Sequence, residues 1–240
     1  MRKRGFTLAE VMVSMAMIGI IASLTIPTFI SSNRNKANAA RLSSTISSIE
    51  NAFVSMIAAE AVNDLSETEF YSATNANSLG KYLKLEGSTT TLTDFGYSSK
   101  PFKFMDSIEY NPSYTIAFQM KSGAVLILNK PSSLITQTET NIKKYGGSVS
   151  AGIGYLDIDV NGSLKPNKWG RDVFRFVVGV DGMLYPCGGL NYSVLAYNSD
   201  TGLWNNETPK DNEINSACND KTKKIGCTAR LIENNYEVDY

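Results

Sequence analysis

The sequence predicts an α+β fold in which one long N-terminal helix packs on an antiparallel sheet of four or five strands. Two observations predict this fold. A run without charged side chains from Val11 to Asn33 is followed, up to about Val62, by apolar residues at helical spacing. Beyond residue 113, short apolar or alternating segments are separated by glycine-containing turns. A chain of 240 residues is long enough for one head domain with its own core.

The composition argues against several function classes. The 23 Lys and Arg residues balance 23 Asp and Glu residues, so the chain lacks the excess positive charge that holds nucleic acids. The sequence has no histidine, which removes Ser-His-Asp triads and the usual zinc ligands. Its three cysteines are too few for a tetrathiolate metal site. We therefore expect a protein that is not an enzyme and does not bind nucleic acid.

The N-terminus has the features of a membrane anchor. Arg2, Lys3 and Arg4 precede the uncharged run, whose 23 residues would rise about 34 Å as a helix, enough to cross a hydrocarbon core of about 30 Å. This basic leader favours a cytoplasmic N-terminus. A cleaved secretory signal peptide is the alternative. Glu10 argues against it, since a carboxylate at the edge of the apolar run costs about 2 kcal/mol or more and a disposable signal has no use for it.

The residues around Gly5 carry a family resemblance. The string from Arg4 to Glu10, Arg-Gly-Phe-Thr-Leu-Ala-Glu, stands ahead of the apolar run. It resembles the class III signal of type IV prepilins and type II secretion pseudopilins. In that family a prepilin peptidase in the membrane cleaves after the glycine and methylates the new N-terminus. The resemblance therefore implies cleavage after Gly5 and N-methylation of Phe6.

The resemblance also assigns roles to Glu10 and Pro27. Glu10 becomes the fifth residue of the mature chain, where the family has a glutamate thought to pair with the N-terminal amine of a neighbouring subunit. Such a pair offsets much of the cost of placing each charge at the bilayer edge. The alternative is an interfacial glutamate without an assembly role. Pro27 falls where many pilins have a helix-bending proline, and we expect a kink or local melting of the helix near Ser23, with only a mild kink as the alternative.

After Asn33 the helical pattern becomes amphipathic. An apolar stripe recurs at three- and four-residue steps, while Arg41 and Glu50 lie elsewhere around the helix. The stripe consists of Leu42, Ile46, Ile49, Phe53 and Ile57. We expect one continuous helix from about Leu8 to Val62, about 80 Å long, whose outer half docks on a globular head. This is the lollipop shape that the pilin resemblance implies.

The head begins with a polar, turn-rich stretch from Asn63 to Gly96, which we interpret as a loop with a short helix near Leu79–Leu85. Strand signals follow, with turns at Lys121-Ser-Gly and at Asp181-Gly. The predicted strands are Tyr114–Met120, Ala124–Leu128, Tyr155–Val160, Val173–Val178 and Met183–Tyr185. We expect this sheet to cover the apolar stripe of the helix.

One segment of the head imitates the start of a calcium-binding loop. The string Asp-Ile-Asp-Val-Asn-Gly from residue 157 follows the pattern, but Lys168 stands where an EF-hand needs a bidentate glutamate. Asp172 could add a carboxylate to an irregular oxygen site, and the resemblance adds that some pseudopilins bind calcium in C-terminal loops. The candidate calcium ligands are Asp157, Asp159, Asn161 and Asp172. The alternative is a strand ending in an Asn-Gly turn with solvated carboxylates. We expect no other cofactor.

The three cysteines are expected outside the cytoplasm, where disulfide formation is the default. Three single pairings among Cys187, Cys218 and Cys227 are possible, and each leaves one thiol. A Cys218–Cys227 bridge resembles the disulfide loop near the C-terminus of type IV pilins, and this resemblance favours that pairing.

These features favour a structural subunit, either a minor pilin or a pseudopilin, of a type IV pilus or a type II secretion system. Its expected partners are other pilin copies, the prepilin peptidase, an inner-membrane assembly platform and membrane lipid, with no nucleic acid. The alternatives are an anchored extracytoplasmic enzyme, or an anchored binding, adhesion or DNA-uptake protein, that uses a pilin signal.

The expected division of the chain has four parts. A leader at 1–5 precedes a membrane-spanning part of the helix at 6–33, an amphipathic stem at 34–62 and a globular head at 63–240. The chain would cross the bacterial inner membrane once, with the N-terminus in the cytoplasm and the head in the periplasm or outside the cell.

Overall fold

A single helix, α1 (Leu8–Glu60), takes up 53 residues at the start of the chain and is about 80 Å long. The computed structural model describes residues 5, 7–72, 77–89, 92–97, 115–129, 135–136, 142–144, 147–149, 151–165, 167–186, 194–198, 203–207, 218 and 227–238. Thr7 is the N-cap of α1, and Ala61 ends it in the left-handed conformation, with φ 53°. The predicted single helix that ends near Val62 is confirmed.

Pro27 lies inside α1 without interrupting it. A proline has no N–H to donate to the carbonyl four residues earlier, which here belongs to Ser23. The helix nevertheless continues through this point. The hydroxyls of Ser23 and Thr25 donate to the carbonyls of Ile20 and Ile21 at 2.8 and 3.0 Å. Local melting near Ser23 is therefore not observed in this helix, and a kink at Pro27 stays a prediction.

The head is built around an antiparallel sheet. The strands in chain order are β1 (Leu85–Thr89), β2 (Thr115–Met120), β3 (Val125–Asn129), β4 (Ile135–Thr136), β5 (Ile142–Lys144), β6 (Gly147–Val149), β7 (Ala151–Asp159), β8 (Val173–Gly179), β9 (Leu184–Pro186), β10 (Val194–Asn198) and β11 (Leu203–Glu207). Six of them form the main path in the order β1-β2-β3-β7-β8-β9, and β4 pairs with β7. Two separate hairpins consist of β5 with β6 and β10 with β11. The pilin-like α+β architecture is confirmed, although four or five strands was too low a count.

Strand β1 occupies part of the stretch in which we predicted a helix. Two short helices, α2 (Glu69–Ser72) and α3 (Asn77–Gly80), precede it, and Leu85 already belongs to the strand. The predicted helix near Leu79–Leu85 is therefore wrong in extent. The segment Leu-Glu-Gly-Ser-Thr has no apolar alternation, and it is a strand because its backbone pairs with β2 at the edge of the sheet.

The core lies between α1 and one face of the sheet. On β7, Leu156 and Ile158 belong to this core, whereas Asp157 and Asp159 lie on the opposite face because strand side chains alternate. The buried residues of α1 are Asn38, Ala39, Leu42, Thr45, Ile46, Ile49, Ala52, Phe53 and Met56. Ile57 is partly buried against the same core. The predicted apolar stripe is thus the surface on which the head docks.

Polar contacts and one glycine fix the sheet along the stem. Asn38 Nδ2 donates to the carbonyl oxygen of Arg171 at 3.2 Å, just before β8 begins. Glu50 accepts a hydrogen bond at 3.0 Å from the first N–H of β9. In the turn between β8 and β9, Gly182 has φ +79°, and a Cβ there would lie 3.1 Å from the Cβ of Phe53. Strand β8 therefore runs along the stem from the level of Asn38 towards that of Phe53.

The C-terminal helix, α4 (Cys227–Glu233), is attached to the head by a disulfide and a hydrogen bond. Cys218 and Cys227 are buried and form a disulfide, with Cα atoms 4.7 Å apart. Thr228 Oγ1 accepts a hydrogen bond at 3.1 Å from the N–H of Arg175 in β8. The pairing favoured by the resemblance is confirmed. Cys187 lies outside the described residues.

Candidate processing and assembly site

The first half of α1 is not covered by the head. Its large apolar side chains are between 37% and 79% exposed. They are Leu8, Val11, Met12, Val13, Met15, Met17, Ile18, Ile20, Ile21, Leu24, Ile26, Phe29 and Ile30. Within the described residues, α1 is the one helix long and apolar enough to cross a membrane, and none of its apolar window is buried by the chain. An apolar surface on all sides of a helix suits surroundings of lipid or other apolar helices.

Glu10 forms a capping box with Thr7 at the start of α1. Thr7 Oγ1 accepts a hydrogen bond from the N–H of Glu10 at 3.3 Å, and Glu10 Oε2 accepts from the N–H and the hydroxyl of Thr7, each at 2.8 Å. These bonds satisfy groups that a helix N-terminus leaves without intrahelical partners. Because both residues are exposed, the capping box holds the Glu10 carboxylate in a defined, accessible position.

The predicted cleavage position lies in the chain just ahead of α1. Gly5 is exposed, and a Cβ added to it would meet no atom within 4 Å. Thr7 is extended, with φ −77° and ψ 152°. An exposed and extended backbone is accessible to a peptidase. Phe6, the predicted methylated residue, lies outside the described residues.

The predicted calcium ligands do not stay together, because Arg175 occupies the carboxylate of Asp157. Nε and Nη2 of Arg175 donate to Oδ1 and Oδ2 of Asp157 at 2.6 Å each, and both side chains are buried. The guanidinium also lies 5.0 Å from the ring centroid of Trp169 and 5.7 Å from that of Tyr155. A bidentate pair of this kind compensates both buried charges. We assign Asp157 to this ion pair.

Asp159 is buried at the end of β7 and bonded to a tyrosine. The hydroxyl of Tyr97 donates to Oδ2 of Asp159 at 2.9 Å, and the N–H of Asn161 donates to Oδ1 at 3.3 Å. Burial raises the pKa of Asp159 to about 8, and the negative charge of Asp172 acts in the same direction, while these hydrogen bonds oppose it. Burial likewise raises the pKa of Tyr97, with Asp159 adding to the effect. Asp159 is therefore a carboxyl group that favours the protonated state near neutral pH.

Asp172 closes the loop that leads into β8. Its carboxylate accepts hydrogen bonds from the N–H groups of Asn167 and Lys168. Burial raises the pKa of Asp172, while these hydrogen bonds and then the positive charges of Arg171 and Arg34 lower it. Because Arg34 belongs to α1, Asp172 lies beside the point where the apolar half of the helix ends.

The remaining oxygens fit a cation site only in part. The Oδ1 atoms of Asn161 and Asn167 are buried without a hydrogen-bond partner among the described residues, and calcium prefers oxygen ligands of this kind. However, the part of the chain that the structure describes holds no group of three or more His, Cys, Asp or Glu side chains placed for a metal ion. Calcium binding stays a prediction, on the reduced set Asp159, Asn161 and Asp172.

Three residues that the sequence analysis did not use take part in these arrangements. Thr7 was detectable, since Thr-x-x-Glu ahead of an apolar run is a capping-box signal. Arg175 was detectable in part, because a single charge inside the apolar string Val-Phe-Arg-Phe-Val-Val predicts a buried partner. Tyr97 carried no signal, since its contact with Asp159 joins segments 62 residues apart.

A protein-family model matches the start of the chain. Residues 1–26 match a family model described as the prokaryotic N-terminal methylation motif. This prepilin-type motif is typical of type IV pilins and pseudopilins. No curated protein and no solved structure gives a significant match to the chain. The match covers the predicted leader, the capping box and most of the apolar half of α1.

Proposed function

We propose that this chain is a membrane-anchored structural subunit, a minor pilin or pseudopilin, of a type IV pilus or type II secretion system. The observation that carries the proposal is the apolar half of α1, most of which lies within the residues that match the methylation motif and which the head leaves uncovered. Such a surface is costly in water and is buried by lipid before assembly and by neighbouring helices after it. The proposal requires no chemistry in this chain.

In this proposal, consecutive segments of the chain have different roles. The leader at 1–5 is removed by the prepilin peptidase, and 6–33 spans the bacterial inner membrane with its N-terminus on the cytoplasmic side. The stem at 34–62 carries the head at 63–240 into the periplasm or out of the cell. An assembly platform in the inner membrane and other pilin copies are the proposed partners, together with membrane lipid.

Glu10 is proposed to guide assembly by pairing with the methylated amine of Phe6 in a neighbouring copy. The capping box supports this role, because one carboxylate oxygen, Oε2, accepts both hydrogen bonds from Thr7. A carboxylate has further acceptor positions for an ammonium group. Pro27 is proposed to supply a point of low bending stiffness in the packed helices, since its ring removes one helical hydrogen bond.

Mass spectrometry of the N-terminus of the membrane-extracted protein tests the processing step. We expect a chain that starts at N-methylated Phe6. Gly5→Leu is a matched variant, because a Cβ at this position would meet no described atom within 4 Å and Gly5 lies ahead of the folded part of the chain. We expect this variant to keep Met1 or Arg2 at its N-terminus. An intact N-terminus in the wild type, or a start beyond Ser23, would contradict the proposal.

Two substitutions of Glu10 separate its capping role from its charge. Glu10→Gln keeps an oxygen acceptor for the Thr7 N–H but removes the negative charge, whereas Glu10→Ala removes both. If pairing with an amine guides assembly, both variants are membrane-anchored and both are missing from sheared filaments or cross-linked assemblies. Normal assembly of the Gln variant would exclude the charge pair.

A further inference from the structure

One end of the sheet lies at the level where the apolar half of α1 ends. The Asn38–Arg171 hydrogen bond, at 3.2 Å, places the connection between β7 and β8 beside the start of the stem. Asn38 is five residues beyond Asn33, the last residue of the uncharged run, which corresponds to about 7 Å along the helix. Lipid headgroups extend about 5–8 Å beyond the hydrocarbon core on each side. In a chain anchored by α1, as proposed above, this connection lies at headgroup depth.

A second turn is located at the same end of the sheet. Strand β3 begins opposite the end of β7, so the turn between β2 and β3 adjoins the β7–β8 connection. The two backbones are in close contact, since a Cβ on Gly162 would lie 2.8 Å from the carbonyl oxygen of Gly123. The two turns, together with the first residues after the apolar run, form one edge of the head.

This edge presents cations and one apolar side chain. Leu164 is 70% exposed, and the only other large apolar side chain exposed outside 8–30, among the described residues, is Val54. Exposed cations accompany it on all three segments of the edge. The membrane-proximal rim is defined by Arg34, Lys36, Lys121, Leu164 and Lys165. The connection from residue 161 to 171 contains no acidic residue, and Asp159 and Asp172 at this end are buried, whereas Asp94 is exposed two residues before Gly96, which adjoins Ser163.

We infer that the membrane-proximal rim binds the anionic headgroups of the leaflet from which α1 emerges. A protruding leucine beside lysines is the composition of interfacial membrane contacts, in which the apolar group enters the headgroup boundary and the cations meet lipid phosphates. Lysine and arginine near an anionic bilayer surface are attracted to it within a Debye length. The inference rests on the proposed membrane anchor and adds a second contact, which holds the head against the bilayer before assembly.

Quenching of tryptophan emission by lipids brominated near the headgroup end of the acyl chain tests the contact. The full chain is reconstituted in vesicles of phosphatidylglycerol or of phosphatidylcholine, with the wild-type emission subtracted. The reporter is Leu164→Trp, and the matched control is Val54→Trp, an exposed apolar position on the stem. Ile20→Trp, near the middle of the apolar half, reports on anchoring alone and is measured with lipids brominated near the methyl end of the acyl chain. We expect quenching at residue 20 in both lipids and at residue 164 in brominated phosphatidylglycerol, with residue 54 unquenched.

Neutralising two lysines of the rim is the second test of the contact. Lys121→Gln combined with Lys165→Gln should abolish the quenching of Leu164→Trp in phosphatidylglycerol. Lys81→Gln should leave it unchanged, because Lys81 pairs with Glu69 and belongs to none of the three segments that form the rim. Quenching at residue 20 without quenching at residue 164 overturns the rim contact and leaves the anchor standing. A blue shift at residue 164 without quenching indicates a protein contact and also overturns it. Loss of quenching at residue 20 refutes the anchor and, with it, the rim contact.

Discussion

The two halves of α1 share one backbone conformation and have opposite surroundings. Phe29, in the first half, is 68% exposed, whereas Phe53, in the second half, is 2% exposed. The first half has apolar side chains on all sides, and the second has one buried stripe. Both halves are helical throughout and differ in hydrogen bonding only at Pro27, so the distribution of apolar side chains around the axis determines which half a head can cover.

A sheet packs against only one side of a helix, so a helix that is apolar all round cannot be satisfied by it. The stem meets this condition, because its apolar stripe faces the sheet and Arg41 lies on the exposed side. The first half needs surroundings that contact every side, which a bilayer or a bundle of like helices supplies. Matched substitutions in the two halves test this contrast.

The paired substitutions Phe53→Ala and Phe29→Ala should separate the halves most clearly. The ring of Phe53 lies 5.5 Å from that of Phe70, which in turn lies 6.5 Å from that of Phe118 in β2. Removing a buried phenylalanine of this kind costs about 3–5 kcal/mol. We expect Phe53→Ala to lower the free energy of unfolding of the head by this amount and Phe29→Ala to leave it unchanged, as measured by denaturant titration in detergent. Equal effects would refute the contrast.

Introducing a charge should affect the first half of α1 more than the second. Ile20→Lys places an ammonium near the middle of the apolar half, where insertion scales assign about 2.5–3.5 kcal/mol. Val54→Lys places the same group on the exposed side of the stem. We expect the first variant to lose its resistance to carbonate extraction from membranes and the second to retain it. An Ile20→Lys chain that stays in the membrane would show that this half is not held by hydrocarbon.

In the head, the buried carboxyl group of Asp159 at the end of β7 should make stability depend on pH. Its pKa is about 8 in the folded chain and near 4 when unfolded, so the folded state binds the extra proton between these values. Stability from this group is complete below about pH 4 and is lost as the pH rises towards 8, by about 1.4 kcal/mol for each step of one in pH. The difference in unfolding free energy between wild type and Asp159→Asn should fall over this window. A difference that is independent of pH would contradict the burial of this carboxyl.

Calcium should oppose that loss if Asp159, Asn161 and Asp172 bind it. A cation favours ionised carboxylates, so its stabilising effect should be larger at pH 8 than at pH 6. At ten times its Kd the ion would add about 1.4 kcal/mol. The melting temperature of the head should then rise with millimolar calcium, fall with EDTA, and become insensitive to both in Asp172→Asn. A melting temperature that neither treatment changes would show that the calcium prediction is wrong.

The sequence predicted those parts of the fold that are encoded in local periodicity. The long helix, its apolar stripe and the strands β2, β3, β7, β8 and β9 follow from spacing alone. Strand β1 was missed because its stability comes from backbone pairing with β2, which composition does not reveal. Local melting at Pro27 was overestimated, since the loss of one hydrogen bond does not interrupt a long helix.

The candidate site also has one part that the sequence predicted and one part that it did not. The methylation motif and Glu10 are contiguous in sequence and were recognisable before the fold was known. The carboxylates of the head were not, because proximity along β7 does not determine which partners they meet. Alternation placed Asp157 and Asp159 on the same face, but Arg175 and Tyr97 reach them from other segments. Only tertiary structure separates a buried ion pair from a cation ligand.

The ion pair between Asp157 and Arg175 also has a consequence for the alignment of β7 with β8. Asp157 of β7 lies directly opposite Arg175 of β8. Because β7 also contains Gly152 and Gly154, its pairing register with β8 is prone to slip. A shift of one residue would turn Arg175 into the face that holds Phe176 and leave two opposite charges buried apart. The pair therefore favours the observed alignment over shifted ones, since only this alignment neutralises both charges.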